Sequence, residues 1–385
     1  MSSEPQSLRL GDIASFRTGK LDSNAAVSGG AFPFFTCSPT TLSINSFAFD
    51  TEAVVLAGNN ANGVFSTKYF RGKFNAYQRT YVIEPLNPEK TSCKFLYFLI
   101  QDLVGKLQEL SIGSATKFLT KTILNELQVS LPIKRDQDLI ASILTALDDR
   151  ITLLRETNAT LEAIAQALFK SWFVDFDPVR AKMEGRTPEG MIDATAALFP
   201  DSFEESELGL VPKGWALVRL DSILELAYGK ALKAEQRNQG SVPVYGSGGV
   251  TGWHDIALVP HSSVIVGRKG TVGSLYWESR PFFPIDTVFY VKSKLPLTYC
   301  FELLKTLGLT DMNTDAAVPG LNRENVYRLL VSDVPANVIR AFDSIVSGIR
   351  ERIDSNAEQA QTLATLRDTL LPRLISGALR LPEAP

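Results

Sequence analysis

The sequence contains few of the residues from which disulfide frameworks and metal sites are built. Among its 385 residues there are 3 cysteines and 2 histidines. Cys37, Cys93 and Cys300 are widely spaced and odd in number, which disfavours a disulfide framework and indicates a reducing compartment. His254 and His261 lack a clustered set of cysteine or carboxylate neighbours. We therefore expect neither a disulfide scaffold nor a metal site in this chain.

Long apolar runs are absent too. The longest candidate, near Phe95 to Ile100, is far shorter than the roughly 20 residues that a helix needs to cross a bilayer. The first residues of the chain lack the charged and apolar regions of a signal peptide. Hydrophobic residues make up 45% of the chain and charged residues 21%, as in globular proteins with room for two or three domains. We expect a cytoplasmic protein that does not bind membranes.

Motifs for catalysis are missing as well. A DNA methyltransferase needs an Asn/Asp-Pro-Pro-aromatic motif, and the nearest stretch, DPVR at 177–180, lacks the second proline and the aromatic residue. Residues 267–274, GRKGTVGS, have the glycines of a nucleotide-phosphate loop but no lysine directly before the hydroxyl residue. The adjacent carboxylates of Asp148 and Asp149 are predicted to lie on the solvated face of a helix. We therefore expect no catalytic residue and no cofactor in this chain.

The charges are unevenly distributed along the chain, whose overall net charge is −3. Residues 8–132 hold twelve Lys/Arg against nine Asp/Glu, and residues 213–335 hold thirteen against eleven, so both stretches are mildly basic. Residues 173–212 hold three against nine and are acidic. This distribution suits two modules that contact phosphates, joined by a connector that does not. An ordinary solvated surface gives a similar balance, so the pattern is supporting evidence only.

Two stretches carry the heptad pattern of long coiled-coil helices. From 137 to 172, and again from 342 to 374, apolar residues recur every seven positions, with a second row four residues later. Because one apolar stripe cannot bury itself, we predict that the two helices, at 136–175 and 336–378, pack together as an antiparallel coiled coil. The predicted seam residues are Ile140, Leu147, Leu154, Asn158, Leu161 and Leu168 in the first helix, and Phe342, Ile349, Ile353, Asn356, Leu363 and Leu370 in the second.

Each helix has one asparagine near its middle in an otherwise apolar row, Asn158 in the first and Asn356 in the second. If the helices lie antiparallel, centre against centre, the two side chains come close together. A buried asparagine pair fixes the register of a coiled coil at a cost in stability. The alternative is that both asparagines lie at the edge of the apolar stripe. Arg367 also interrupts the second row of the C-terminal helix.

An internal repeat relates the two halves of the chain. Residues 8–13 (LRLGDI) and 218–223 (VRLDSI), and residues 54–57 (VVLA) and 264–267 (VIVG), share one offset of 210 residues. The same order of features at a nearly fixed offset indicates a duplication. We predict an α+β fold in which two mixed α/β domains are separated by the two long helices, with a pseudo-two-fold internal repeat. The predicted limits are 1–135 for the first domain, 136–175 for the central helix, 176–212 for an ordered acidic connector, 213–335 for the second domain, 336–378 for the C-terminal helix and 379–385 for a tail.

Within the domains, short apolar and aromatic runs between glycine-rich turns predict strands. Pro178 is expected to end the central helix, because proline cannot continue the backbone hydrogen-bond ladder. The predicted strands lie at 53–56, 80–83, 263–266 and 287–291, and the predicted shorter helices lie at 95–110 and 299–307.

One segment is specific enough to suggest a family. Residues 168–185 read LFKSWFVDFDPVRAKMEG, and this segment resembles the central region of the DNA-specificity subunits of type I restriction-modification systems almost word for word. The resemblance covers essentially the whole chain. It departs mildly at 58–63, GNNANG, which stands in place of a basic Gly-Arg-Lys-Gly version. Further similar stretches are 266–270 with Gly273, 208–215 and 370–377.

The resemblance implies two target-recognition domains and a coiled-coil spacer, which together recognise a bipartite site in double-stranded DNA, one half-site per domain. It also implies two modification (methyltransferase) subunits as partners, with restriction subunits as a further candidate partner. S-adenosylmethionine, ATP and Mg²⁺ would then be bound by the partner subunits and not by this chain. The protein would be the non-catalytic specificity subunit of a multisubunit methyltransferase/endonuclease.

Candidate DNA contacts lie mainly on glycine-flanked loops, which allow close approach of the backbone to a ligand. Asparagine pairs with adenine edges and arginine or lysine with guanine edges, while lysines elsewhere hold phosphates. For any one of these residues the alternative is an ordinary turn or a solvated side chain. The candidates are Lys20, Asn59, Asn60, Asn62, Lys68, Arg71, Lys73, Arg79 and Lys117 in the first domain, and Lys230, Tyr245, Arg268, Lys269 and Thr271 in the second.

Two other functions fit the same organisation. The first is a duplicated, non-catalytic scaffold or adaptor that binds protein or glycan and makes no DNA contact. The second is a recognition unit of an enzyme whose catalytic part lies on another chain in a different arrangement. The mildly basic domains favour DNA over glycan, and the aromatic content of 9% favours neither.

Overall fold

The computed structural model describes residues 6–60, 65–113, 116–207, 209–313 and 320–379. The chain divides into two compact units. Unit 1 consists of Met1–Leu153 and Gln359–Pro385, and unit 2 consists of Leu154–Glu358. Two 40-residue helices each contribute one part to each unit.

Unit 1 is built on a mixed sheet. Its strands are β1 (Gln6–Arg9), β2 (Ala14–Thr18), β3 (Phe32–Phe35), β4 (Leu42–Ile44), β5 (Phe49–Ala57), β6 (Asn59–Asn60), β7 (Thr67–Ala76), β8 (Thr80–Pro85), β9 (Lys117–Phe118) and β10 (Gln128–Leu131). The main sheet has the order β2-β8-β5-β7-β3-β4, and two-stranded pairs join β1 to β10 and β6 to β9. Residues 53–57 of β5 are all buried, since this strand is paired on both edges and covered on both faces. The strands predicted at 53–56 and 80–83 are confirmed.

The helices of unit 1 include one that packs on this sheet. They are α1 (Leu10–Ile13), α2 (Cys93–Leu110), α3 (Lys121–Glu126) and the first part of α4 (Lys134–Phe173), with a 3₁₀ turn at Ser23–Ala25. Helix α2, predicted at 95–110, begins after Ser92, whose Oγ accepts a hydrogen bond from the Phe95 backbone at 3.4 Å. The fully buried Gln137 of α4 accepts a hydrogen bond from the Ser92 backbone at 2.8 Å. The long helix is therefore attached to the start of α2.

Unit 2 contains the remaining elements. Its helices are the second part of α4, α5 (Asp177–Met183), α6 (Asp193–Ala196), α7 (Leu297–Thr306), α8 (Arg323–Tyr327) and the first part of α9 (Ala336–Ile375), with 3₁₀ turns at Leu220–Ser222, Ala234–Gln236 and Leu309–Asp311. Its strands are β11 (Phe203–Ser206), β12 (Gly209–Pro212), β13 (Leu217–Arg219), β14 (Leu224–Tyr228), β15 (Val242–Gly246), β16 (Gly249–His254), β17 (Ser263–Gly267), β18 (Leu275–Glu278), β19 (Phe283–Pro284), β20 (Val288–Ser293) and β21 (Leu330–Ser332). The strands predicted at 263–266 and 287–291 and the helix predicted at 299–307 are confirmed.

The two units repeat the same order of strands. The order β2-β8-β5-β7-β3-β4 in unit 1 corresponds to β14-β20-β17-β18 and a second sheet, β19-β15-β16, in unit 2. In unit 1 the long β7 pairs with both β5 and β3, so one sheet results. In unit 2 the short strands β18 and β19 take the place of β7, so the sheet is split in two. The parallel pair β3–β7 has its counterpart in β15–β19. The predicted duplication is confirmed in the topology.

The acidic stretch after α4 is ordered against unit 2. Helix α4 ends at Phe173, and Pro178 lies in the first turn of α5, where its missing N–H costs nothing. The ammonium of Lys182 donates hydrogen bonds to the backbone oxygens of Ala196, at 3.3 Å, and Phe199, at 2.5 Å. The Phe199 ring is buried in the main hydrophobic cluster of unit 2. This stretch is thus part of the fold of unit 2.

The two long helices run antiparallel in each unit. In unit 1 the beginning of α4 packs against the end of α9, where Leu144 and Leu374 share one buried cluster. In unit 2 the end of α4 packs against the beginning of α9, where Phe169 lies 5.7 Å from the ring of Phe342. The twelve predicted seam residues are all buried or half-buried. Within the described ranges, no helix is both long enough and apolar enough to cross a membrane.

A charged pair lies between the helices in unit 1. Arg367 Nη1 donates to Asp148 Oδ1 at 2.6 Å, and both side chains are about 27–28% exposed. The prediction that Asp148 lies on a solvated face is therefore wrong, whereas Asp149 is exposed. The heptad pattern placed Asp148 outside the seam because it ignores the reach of a long arginine side chain from the opposite helix.

The two central asparagines of the seam contact each other in unit 2. Asn356 Nδ2 donates to Asn158 Oδ1 at 2.9 Å, and Asn158 Nδ2 donates to the backbone oxygen of Ile353 at 2.9 Å. Asn356 is only 1% exposed, and its own Oδ1 is buried with no hydrogen-bond partner among the residues that the structure describes. The predicted pair is confirmed, and the alternative that both residues lie at the edge of the stripe is wrong for Asn356.

Replacing Asn158 with alanine is expected to lower the free energy of unfolding of unit 2 by about 1–3 kcal/mol, because the buried amide of Asn356 loses its acceptor. The variant with both asparagines replaced by leucine is expected to have a higher free energy of unfolding than Asn158→Ala, since no polar side chain is then left unpaired in the seam. Urea unfolding followed by tryptophan fluorescence measures both effects in unit 2. All 4 tryptophans lie there, at Trp172, Trp215, Trp253 and Trp277.

The control is Gln166→Ala on the exposed face of α4, which should change the free energy of unfolding by no more than about 0.5 kcal/mol. A double leucine variant less stable than Asn158→Ala would contradict the assigned pairing.

Candidate nucleic-acid interface

A polar cleft of about 440 Å³ lies in unit 1 beside the predicted asparagines. Asn59 and Asn60 form β6, which pairs with β9 so that Asn60 lies opposite Lys117. Hydroxyl, thiol and amide groups can donate and accept hydrogen bonds at the edges of bases. Asn62 lies outside the described residues. The cleft is lined by Ser23, Thr36, Cys37, Ser38, Asn59, Asn60, Tyr77 and Thr116.

Two of the predicted cations lie beside this cleft. Arg79 is exposed, and its guanidinium carbon lies 5.6 Å from the ring centroid of Phe118, the residue paired with Asn59. Lys20 is exposed and directly precedes Leu21, which pairs with the cleft residue Tyr77. The fold thus brings Lys20, Arg79 and strand β6 to one part of unit 1, although these residues are separated in sequence.

In the two repeated Gly-Lys pairs, at 19–20 and 229–230, packing requires the glycine. A Cβ atom on Gly19 would lie 1.7 Å from the backbone oxygen of Ala76, and one on Gly229 would lie 2.1 Å from that of Ile285. The repeated glycine therefore marks a close approach of two chain segments in each unit, and phosphate binding by the lysine that follows it stays a prediction. The lysines that follow, at positions 20 and 230, are exposed.

Lys68 is held by the protein itself. Its ammonium donates hydrogen bonds to Ser38 O and Thr41 Oγ1, both at 3.2 Å, and lies 5.6 Å from the ring centroid of Phe35. Burial lowers the pKa of this ammonium. The contacts give Lys68 a role in fixing the loop at the rim of the cleft.

Arg71 and Lys73 lie further along β7, opposite acidic residues. In the antiparallel register Arg71 faces Glu52 and Lys73 faces Asp50 on β5. Directly opposite residues of opposite charge stabilise a sheet and offset each other's field. Both cations are exposed, and neither is among the described residues that line the cleft. The ammonium of Lys73 lies 4.7 Å from the ring centroid of Phe47.

In unit 2 the glycine-rich loop after β17 presents Lys269 and Thr271 at the surface. Gly270 between them has φ +85°, a conformation that favours glycine. The loop is tied down on both sides: Lys269 N donates to Thr287 O at 3.1 Å, and Thr271 N donates to Ser247 Oγ at 3.4 Å. Its backbone is therefore fixed while these two side chains remain exposed.

Arg268, the third predicted residue of this loop, belongs to an aromatic cluster. Its guanidinium carbon lies 5.1 Å from the ring centroid of Tyr228 and 5.8 Å from that of Phe289. Arg323 of α8 lies 4.8 Å from the same Tyr228 ring and 5.5 Å from Tyr327. Tyr228 and Arg323 were missed in the sequence. Tyr228 directly precedes the repeated Gly-Lys pair, which is a signal, whereas no local pattern distinguishes Arg323.

Tyr245 lies in the core of unit 2. It is 7% exposed, it packs with Phe282 and Ile265, and its hydroxyl donates to Glu278 Oε2 at 3.0 Å. Burial, followed by the charge of Glu278, raises the pKa of the tyrosine. Tyr245 occupies an inward position of β15. The structure thus places the side chain of this predicted DNA contact in the core of unit 2 and not at its surface.

Residues suited to a metal ion are not clustered in the described ranges, where no group of three or more His, Cys, Asp or Glu side chains comes together. His254 is buried, and its Nδ1 lies 3.1 Å from the backbone nitrogen of Asn238 and 3.1 Å from Asp255. His261 is exposed, beside the backbone oxygen of Ser262. The two histidines therefore have separate local partners.

Comparison with known proteins places the chain in one family. The model of the type I restriction modification DNA specificity domain matches in two segments, residues 3–163 and 212–326. These segments fall on the two copies of the internal repeat. The type I restriction enzyme EcoDI specificity subunit of Escherichia coli is 38% identical over 232 residues, which cover 58% of this chain and 49% of that protein. The match thus spans about half the length of that relative.

A second relative matches over more of its length. The type I restriction enzyme HindI specificity subunit of Haemophilus influenzae is 28% identical over 394 residues, covering 83% of this chain and 82% of that subunit. The crystal structure of a type I restriction-modification system S subunit from M. genitalium has the same fold, with a TM-score of 0.64 and 18% identity over 98% of this chain and 96% of that one. With its two matched segments covering more than half of the sequence, the chain belongs to the type I restriction modification DNA specificity domain family.

Proposed function

We propose that this chain is the DNA sequence-recognition subunit of a type I restriction-modification complex. Each unit recognises one half of a bipartite site in double-stranded DNA, and the chain itself carries out no catalysis. The observation that carries the proposal is the match of the DNA specificity domain model to both copies of the repeat. Two different half-sites fit two copies with different surface chemistry.

The chemistry of the two surfaces supports this division. Unit 1 offers the amide side chains of Asn59 and Asn60 beside a polar cleft, with Lys117 and Arg79 next to them. Unit 2 offers the loop at 268–271, which is basic. Amides suit adenine and cationic side chains suit guanine or phosphate, so the half-sites are expected to differ in sequence.

The long helices are proposed to set the gap between the half-sites. Both are continuous over 40 residues, and an antiparallel seam pinned by the Asn158–Asn356 contact has one preferred register. A fixed register gives a fixed length, and a fixed length selects one number of unread base pairs. Two methyltransferase subunits are proposed to dock on this chain, with restriction subunits as further partners. S-adenosylmethionine, ATP and Mg²⁺ are proposed to be bound by those subunits, and the complex to be cytoplasmic.

The test is co-expression of the chain with its methyltransferase partner, followed by mapping of methylated bases in plasmid DNA. We expect the two chains to purify together and methylation to appear in one split sequence, with two defined halves and a constant gap. A matched culture that expresses the methyltransferase alone is the control and should show no such methylation. If the co-expressed pair methylates no split sequence, the proposed function is wrong, and a scaffold that binds protein or glycan becomes the better description.

A further inference from the structure

Two arginines of unit 2 share one exposed aromatic side chain. Arg268 follows β17 and Arg323 begins α8, yet their guanidinium carbons lie 5.1 and 4.8 Å from the ring centroid of Tyr228. Tyr228 is 48% exposed, and its ring meets the fully buried ring of Phe289 edge to face at 5.0 Å. The aromatic support of the two cations is therefore anchored in the core and reaches the surface.

Few carboxylates of the described residues lie near this cluster. Arg268 Nη1 donates to the backbone oxygen of Asp286 at 2.8 Å, which orients the guanidinium without cancelling its charge. Among the described residues, no carboxylate lies within 4.0 Å of Arg268. The described part of the chain places one carboxylate near Arg323, that of the 62% exposed Glu324, at 3.7 Å from Nε. The same Nε is buried and has no hydrogen-bond partner within the described ranges. The described surroundings thus leave two neighbouring cations with one exposed carboxylate beside them, an arrangement that favours an anion as ligand.

The way these guanidinium groups are held suits phosphate better than a base. An arginine that reads guanine extends into the major groove and aligns two N–H groups with O6 and N7. Here each guanidinium rests near an aromatic ring, and one N–H of Arg268 is already bound to the backbone. A phosphate accepts hydrogen bonds from many directions, and contacts of this kind fix the position of a protein on DNA without reading sequence.

We propose that Arg268 and Arg323, supported by Tyr228, bind the DNA backbone phosphates next to the half-site of unit 2 and do not read its bases. This inference rests on the proposed function. The inference assigns two roles to the residues of this loop. The exposed Lys269 and Thr271 contact base edges, and Arg268 fixes the position of the protein along the DNA.

The test uses the complex of the full chain with its methyltransferase partner. DNA affinity is measured as a function of salt, and methylated sites are mapped, for Arg268→Gln, Arg323→Gln and the double variant. The logarithm of the binding constant falls as the logarithm of the salt concentration rises. Each lost phosphate contact should make this slope less steep by about 0.9, so the double variant should be less steep by about 1.8. Affinity should fall equally for cognate and unrelated DNA, and the methylated sequence should stay the same. Arg→Lys at both positions should restore most of the slope, because the charge is kept.

The matched control is Lys294→Gln, an exposed cation just beyond the other end of β20, which should leave the slope unchanged. Equal midpoints of unfolding by tryptophan fluorescence show that the variants keep their fold. Relaxation of one base position in a half-site would overturn the inference, since that is the result for a base reader. An unchanged slope in the double variant would overturn it too. Failure of the proposed function is distinct, because the unsubstituted complex would then methylate no split sequence.

Discussion

Replacing Arg350 with methionine is expected to lower the free energy of unfolding of unit 2 by about 3–5 kcal/mol, the usual cost of breaking a buried ion pair. Arg350 lies on α9 with its side chain only 4% exposed, and its Nη2 donates to Glu302 Oε1 of α7 at 2.8 Å. Glu302 is 1% exposed. Without the guanidinium, a carboxylate is left in the core with Lys305, at 3.2 Å, as its remaining ion partner among the described residues.

The ion pair belongs to a larger arrangement within unit 2. Arg350 Nη1 lies 3.3 Å from Glu162 of α4, and the guanidinium lies 4.5 Å from the ring centroid of Phe301 and 5.5 Å from that of Trp277. One side chain thus joins both long helices to α7 and β18.

A double variant separates the cost of an unpaired charge from the value of the pair itself. Arg350→Met combined with Glu302→Leu removes both buried charges, and we expect it to recover most of the loss, because well-packed apolar replacements of buried ion pairs are often neutral or stabilising. Arg352→Ala on the exposed side of the same helix is the control and should change the free energy of unfolding by no more than about 0.5 kcal/mol. Urea unfolding followed by tryptophan fluorescence reports on unit 2. A double variant as unstable as Arg350→Met would show that packing, and not charge pairing, determines the effect.

The long helices and their pairing could be predicted from the sequence because the signal is local and periodic. A seven-residue repeat of apolar side chains specifies one stripe, and two stripes in one chain specify each other as partners. The Asn158–Asn356 contact followed from position alone. Arg350 could not be predicted in this way. It directly follows the seam residue Ile349, so the repeat treats it as an outward polar residue, and its burial depends on Glu302, which lies on a different element.

In the candidate interface too, features marked by the local sequence could be predicted, and features that depend on the three-dimensional fold could not. The exposed loop carrying Lys269 and Thr271 was predicted because glycines mark it locally. The inward position of Tyr245 was not predicted. Strand β15 has only five residues, and the neighbours of Tyr245 on both sides are buried, so the strand shows no alternation of exposed and buried residues. The cluster of Tyr228 with Arg323 depends on β14 and α8 meeting in three dimensions, and only the fold supplies that information.

Lengthening both long helices by one heptad is expected to change the recognised DNA sequence in one respect only, the unread gap. The insertion is a second copy of residues 151–157 in α4 and a second copy of residues 357–363 in α9, because the Asn158–Asn356 contact places these heptads at the same level of the antiparallel seam. Seven residues add about 10 Å to each helix, and a strand of DNA rises about 3.4 Å per nucleotide. The gap should therefore grow by up to about three base pairs.

The candidate DNA-contacting residues lie outside the inserted heptads, so both proposed half-sites should be unchanged. Methylation mapping with the co-expressed methyltransferase measures both features in one experiment. The matched control exchanges the same two heptads for others of the same pattern without changing length, and it should keep the original gap. Insertion into α4 alone should abolish methylation, since the Asn158–Asn356 contact in unit 2 is kept while the beginning of α4 in unit 1 moves one heptad out of register with the end of α9. If the double insertion methylated the original sequence with its original gap, the helices would not determine the spacing of the half-sites, and the length of the seam would have no role in recognition.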